Sequence, residues 1–117
     1  MNKRSLGGGY EKAAAAYLQE NGYKILQMNY RCRAGEADIV ARDGKYLVFV
    51  EVKYRERMSG GGPLAAVGFR KQEWISRVAA WYLTEHQLPE YTAVRFDVVG
   101  ITPGEIRLIR NAFDSVY

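Results

Sequence analysis

Asp38, Glu51, Val52 and Lys53 have the types and spacing that phosphodiester hydrolysis asks for. That chemistry needs a bound cation, an activated water and an offset for charge developing on the phosphate. Magnesium or manganese prefers oxygen ligands, and magnesium keeps several of its waters. Two carboxylates, Asp38 and Glu51, plus the Val52 carbonyl can therefore suffice as a ligand set. Lys53 follows Glu51 by two residues and so shares its face of a strand. Its ammonium could orient or polarise the attacking water; its plainer reading is an ion pair with Glu51.

The elements that must position these groups form a β-hairpin. Two apolar, β-branched runs flank Asp43-Gly44, a pair suited to a two-residue turn. If Arg42 pairs with Lys45, Val40 lies opposite Leu47, Asp38 opposite Phe49 and Glu36 opposite Glu51. Asp38 and Glu51 are then diagonal neighbours, about 7–8 Å apart. One face carries Glu36, Asp38, Val40, Leu47, Phe49, Glu51 and Lys53. The other is apolar or aromatic, from Ala37, Ile39 and Ala41 to Tyr46, Val48, Val50, Val52 and Tyr54. Acidic residues are poor strand formers, and like charges facing across a ladder destabilise it. A chain that accepts this has a use for the carboxylates.

Further groups border the hairpin. Glu11 lies beside the apolar stripe of a first helix, where it could reach the metal site or simply favour a helix N-terminus. Glu36 sits at the open end of the hairpin, either beside the ligands or bridged to Arg33 or Arg55. Lys71 precedes Ile75 by one helical turn and so faces the sheet; it serves a phosphate or its stem covers the core edge. Arg55, Arg57, Arg70 and Lys71 flank the glycine-rich stretch Ser59 to Gly62 and could follow a nucleic-acid backbone, although charged loops are ordinarily just solvated. His86 stands near a helix end and is no candidate for a general base. For Tyr46, Tyr54 and the tryptophans, packing is the default and base stacking the alternative.

A helix is expected over Ser5 to Asn21, with Tyr10, Ala13, Ala14, Tyr17 and Leu18 as its buried stripe and a late start at Gly7, Gly8 and Gly9. Asn21-Gly22 is its stop. Strands follow at Tyr23 to Arg31, Gly35 to Arg42 and Lys45 to Tyr54. A second helix runs from Ala65 or Gly68 to Glu85, with Ile75, Val78, Ala79, Tyr82 and Leu83 inward and Pro89 beyond its end. A fourth strand spans Thr92 to Ile101, and a short fifth covers Glu105 to Ile109. The order α-β-β-β-α-β-β gives an α/β fold, a mixed central sheet of about five strands flanked by helices, because a helical crossover between strands favours parallel pairing. Residues 1–117 read as one domain.

Seventeen basic and thirteen acidic residues give a net charge of +4. If a metal takes up Glu11, Asp38 and Glu51, ten acidic groups remain against seventeen basic ones, a balance suited to a polyanion. The lone Cys32 rules out an intrachain disulfide and fits a reducing compartment. No secretory signal or membrane-length apolar run is visible, so the expected location is the cytoplasm, with no membrane partner.

Glu36-Ala37-Asp38-Ile39-Val40 followed by Glu51-Val52-Lys53 resembles the D…ExK signature of restriction-endonuclease-like nucleases. Nearly the whole chain is similar to the YraN-like family of small bacterial proteins. The similarity includes Gly9-Tyr10-Glu11 with Ala13 to Leu18, Asn29 with Arg31, Gly35 to Asp38, Phe49 to Lys53 with Arg55, Lys71, and Arg95 to Val99. It implies a restriction-endonuclease-like fold and kinship with archaeal Holliday-junction resolvases. By position, Asp38, Glu51 and Lys53 match the signature's catalytic residues, and Glu11 matches the first-helix glutamate of the resolvase-like branch. Ala37 stands where the wider motif has proline, which supplies no ligand.

The leading expectation is thus a magnesium- or manganese-dependent DNA endonuclease acting on branched or structured DNA, for which a homodimer would allow symmetric cuts. A non-catalytic nucleic-acid-binding or assembly module retaining the fold is the alternative. A protein-interaction module using Trp74 and Trp81 is a third reading.

Overall fold

The computed structural model describes residues 3–56 and 68–115, the side chains of residues 3–8 apart. Arg57 and the glycine-rich stretch lie outside the described residues, as does a helix start at Ala65. The elements are α1 (Lys3–Glu20), β1 (Lys24–Cys32), β2 (Gly35–Asp43), β3 (Tyr46–Tyr54), α2 (Phe69–Glu85), β4 (Val94–Thr102) and β5 (Glu105–Phe113). This is the expected α-β-β-β-α-β-β order, and the five strands form a mixed sheet in the order β1-β2-β3-β4-β5. Only β3 and β4, joined through α2, run parallel.

Helix α1 starts earlier than expected and runs through Gly7, Gly8 and Gly9. Its alanine-rich half explains how it persists. Its end is closed by local bonds: Asn21 donates from Nδ2 to the Tyr17 carbonyl. Gly22 then takes a φ of 89°, and the Tyr23 amide returns to the Leu18 carbonyl. Ala14 and Leu18 are buried from this helix, whereas Ala13, expected inward, is exposed. Helix α2 buries Ile75, Ser76, Val78, Ala79 and Tyr82, as its 3.6-residue period requires apart from Ser76. That hydroxyl donates to the Gln72 carbonyl one turn back, which makes its burial tolerable. Among the described residues no helix is long and apolar enough to cross a membrane.

The sheet separates two cores. Beneath α2, Val40, Leu47, Phe49 and Phe96 pack with Ile75, Val78, Ala79 and Tyr82. Beneath α1, Ile39, Ala41, Val48, Val50 and Val99 pack with Ala14, Leu18 and Tyr23. Both faces are covered, so β3 reads as a nearly continuous apolar run until Glu51 interrupts it.

The hairpin register differs from the expectation. Asp43 pairs with Tyr46, so the turn is Gly44-Lys45 rather than Asp43-Gly44, and Val40 lies opposite Phe49 rather than Leu47. Gly44 adopts a φ of 60° as the first turn residue, a conformation that glycine takes without steric penalty. The shift is two residues, so the facing of β3 is unchanged. The fifth strand is longer than expected and reaches Phe113, whose ring stacks on Phe96 at 4.9 Å.

Candidate metal and phosphate site

The site forms where the sheet comes apart. The β2–β3 ladder ends at Ile39 and Val50. One residue farther along, Asp38 would meet Glu51 directly, not diagonally. There the Asp38 carboxylate accepts the Val52 amide at 2.8 Å, so a side chain replaces the next backbone rung. On the other side, β1 and β2 pair at Met28–Ile39 and again at Tyr30–Ala37, with Asn29 between them at a φ of 54°. Across this step both strands exchange faces. Met28 and Ile39 pack on the α1 side, whereas Tyr30 and Ala37 pack on the α2 side. Strict alternation from Asp38 therefore misassigned Ala37 and Glu36. Asparagine is one of the few residues that accepts a left-handed backbone in a strand.

This opening lets groups from both layers meet at Asp38. Tyr10 stacks on Tyr54 at 4.4 Å, fixing the middle of α1 over the end of β3. The next residue, Glu11, comes within hydrogen-bonding reach of Asp38 and of the Asn29 side chain. Burial and the Asp38 charge raise its pKa, while the Asn29 hydrogen bond opposes them. From the opposite layer, Lys71 reaches Glu51 with its Nζ 3.3 Å from Oε2. Lys71 thus faces the sheet, as its place one turn before Ile75 suggested, and the partner it meets there is Glu51. Lys53 lies beside it.

The electrostatics are unbalanced. Glu51 is only 4 % exposed. Burial first, and the neighbouring Asp38 charge second, push its pKa up to about 8 despite the Lys71 ammonium. Burial also works against the Lys71 ammonium, but Glu51, Lys53 and Asp38 outweigh it and leave its pKa raised. Lys53 goes the other way: burial and the adjacent Lys71 lower it more than the two carboxylates raise it. The two lysines are therefore unlike, Lys71 held charged and Lys53 the readier to give up its proton.

A divalent cation would suit this donor set, because Glu51 and Asp38 face one another with Glu11 in reach of Asp38, three carboxyl groups against the two lysines. Among the described residues no group of three or more His, Cys, Asp or Glu side chains is gathered closely enough to hold a metal ion. The side chains that could serve as ligands are thus Asp38 and Glu51, while Glu11 stands within reach of Asp38. Of Val52, the backbone amide is what bonds to Asp38.

Other expected residues fall farther out. Glu36 bridges Arg31 at 2.9 Å, not Arg33 or Arg55, and both partners are exposed. Arg55 is exposed and donates to the Tyr54 carbonyl. Arg70 is exposed on the first turn of α2. Sequence reasoning passed over Asn29 as a site residue. Its signal was an asparagine within a strand pattern, directly across from the acidic position.

The family description "Uncharacterised protein family UPF0102" matches residues 10–101, and the chain belongs to that family. A UPF0102 protein of Lachnoclostridium phytofermentans is 55% identical over 115 residues, covering 98% of both chains. One from Syntrophus aciditrophicus is 50% identical over 111 residues, covering 92% of this chain and 87% of that relative. One from Geobacter sulfurreducens is 47% identical over 121 residues, covering 99% and 94%.

Proposed function

We propose that this member of UPF0102 is a divalent-metal-dependent DNA endonuclease of restriction-endonuclease-like type. The observation that carries the reading is the buried Glu51 facing Asp38 where the β2–β3 ladder stops, with Lys53 and Lys71 alongside. Asp38 and Glu51, with the Val52 carbonyl, would hold magnesium or manganese, which when bound supplies a Lewis acid and lowers the pKa of its water.

The chain's own residues divide the remaining work. Lys53, with its weakened hold on a proton, orients the attacking water and can accept its proton. Lys71 stays cationic and offsets charge on the phosphate. The Val52 amide fixes one oxygen of Asp38, and Glu11 with Asn29 restrains that carboxylate from the α1 side. The basic excess of the chain favours a polyanionic substrate.

The test is a cleavage panel of linear, flapped and four-way DNA with magnesium or manganese, run with the wild type, Asp38→Ala and Glu51→Ala. Metal-dependent cleavage that disappears in both folded variants is expected. Unchanged cleavage in either rejects the assignment. Salt-sensitive binding indifferent to metal and to Lys53→Ala would instead identify a non-catalytic nucleic-acid-binding module.

A further inference from the structure

Helix α2 carries two tryptophans one heptad apart, and both are substantially exposed: Trp74 at 45 % and Trp81 at 42 %. Their surroundings differ. The pyrrole edge of the Trp74 indole rests on Gly35 at the start of β2, where a Cβ would fall 1.6 Å from Nε1. Gly35 has a φ of 141°, so both the backbone conformation and the ring's approach require glycine there. The indole is thereby seated on backbone while much of its surface stays open. It lines a shallow groove of about 330 Å³ with Arg31, Cys32, Gly35 and Glu36.

This groove adjoins the metal and phosphate site. Lys71, which pairs with Glu51, lies three residues before Trp74 on the same helix. Gly35 precedes Asp38 by three strand residues, roughly 10 Å along β2. That distance is about three base steps of DNA. Arg31 lines the groove, and two further exposed arginines lie close in sequence to its lining: Arg33, two residues before Gly35, and Arg70, four residues before Trp74. The Arg31–Glu36 pair is solvent-accessible on both sides, a kind of ion pair that a phosphate can readily replace. Trp81 lacks this setting: among the described residues its own shallow groove is lined by Ala80 and Thr84, neither of them charged.

We propose that Trp74 is a stacking platform for an unpaired DNA base close to the scissile phosphate, so that the substrate is DNA with a single-stranded segment at the cleavage point. An open, rigidly seated indole beside arginines offers what a single strand can use and a closed duplex cannot: a π-face for a base and cations for its backbone. This rests on the nuclease reading of the adjacent site.

The experiment compares binding of a blunt DNA duplex and the same duplex with a single-stranded tail, by fluorescence anisotropy without divalent metal. Wild type, Trp74→Phe, Trp74→Ala and Trp81→Ala are used. The wild type, Trp74→Phe and Trp81→Ala should favour the tailed DNA, and Trp74→Ala should lose about tenfold in affinity for the tailed DNA alone. In a Trp81→Phe background Trp74 is the sole tryptophan, and its emission should be quenched by the tailed DNA and not by the blunt one. Equal affinity of the wild type for both DNAs, an undiminished preference in Trp74→Ala, or unquenched emission overturns the proposal. If those failures accompany cleavage that depends on Asp38, the nuclease reading stands and only the platform falls. Trp74-dependent selection of tailed DNA without cleavage under any metal supports the platform and removes the nuclease reading.

Discussion

Asp38 and Asp97 occupy two defects of the same sheet, each across from an asparagine with a left-handed backbone, yet their surroundings are opposite. Asn29 faces Asp38 with a φ of 54°, and Asn111 faces Asp97 with a φ of 53°. At the second defect the β4–β5 register shifts between Phe96 and Val98, and the freed Asn111 amide donates to Asp97 at 2.9 Å. Asp97 is fully buried and also receives the Tyr23 hydroxyl at 2.5 Å and two hydrogen bonds from Arg95. Arg95 in turn bridges Asp43 at 2.8 Å. Every lone pair of Asp97 has a donor, and a guanidinium balances its charge. Burial and the Asp97 hydrogen bond raise the Tyr23 hydroxyl to about 12, so it remains a donor. At Asp38 the equivalent strand opening collects further carboxylates, Glu51 and Glu11, with fewer donors. The same local device closes one acid into the framework and leaves the other short of positive charge. That shortage is what supports the proposed cation site at Asp38 and Glu51.

The comparison can be broken most decisively by conservative substitution. Asp38→Asn should lower metal-dependent cleavage by on the order of 10³-fold, with its urea midpoint near that of the wild type. Asp97→Asn should do the reverse, losing roughly 3 kcal/mol of stability because it removes the fully buried charge that Arg95 engages through two hydrogen bonds. Its residual folded fraction should still cleave. Activity lost in both, or stability lost in both, would erase the distinction between framework and site.

A smaller effect comes from pH. Glu51 has a folded pKa of about 8 against an ordinary value of 4.5, so its ionisation opposes folding. That penalty is absent below about pH 4.5, grows as pH rises and is complete above about 8. In metal-free protein, Glu51→Gln should therefore gain stability relative to wild type between pH 5 and 8. About 2 kcal/mol is expected at the upper end, part of the gain being lost because Lys71 forfeits its partner. Saturating magnesium should narrow this gap by stabilising the wild type alone. Urea titrations at pH 5 and 8, with and without metal, measure it; a gap independent of pH would show that Glu51 is not held at a disadvantage.

The asparagines sharpen the contrast at the lowest energy. Glycine preserves the left-handed backbone at either position. Asn111 acts on Asp97 through its backbone amide, so Asn111→Gly should leave cleavage unchanged and alter stability by less than about 1 kcal/mol. Asn29 acts on Glu11 through its side chain, so Asn29→Gly should slow cleavage several-fold. Equal effects of the two on cleavage rates would remove Asn29 from the site.

Much of this was legible in the chain because it rests on local chemistry. The Ala13 to Ala16 run, the Asn21-Gly22 stop and the stripe from Ile75 to Tyr82 declare helices by propensity and period, and the β-branched runs declare strands. The facing of Leu47, Phe49 and Glu51 follows from alternation alone and survived a two-residue error in register. The errors lay where alternation fails. Nothing short-range shows that β1 and β2 change faces at Asn29 and Asp38, which moved Ala37 beneath α2 and turned Glu36 toward Arg31. Nor does the turn sequence decide between Asp43-Gly44 and Gly44-Lys45, since both carry a turn-forming glycine.

The sequence by itself determined the element order, the apolar faces and the residue types at the acidic opening, since these depend on propensity and spacing within a few residues. Only the tertiary structure decided which acid would be neutralised. Asp38 and Asp97 are both aspartates in strands. Their difference is set by Arg95, Tyr23 and Asn111 converging on one, and by Glu11 and Glu51 converging on the other, from elements remote in the chain. Charge balance inside a sheet is a sum over neighbours in space, and those neighbours exist only after the layers have packed.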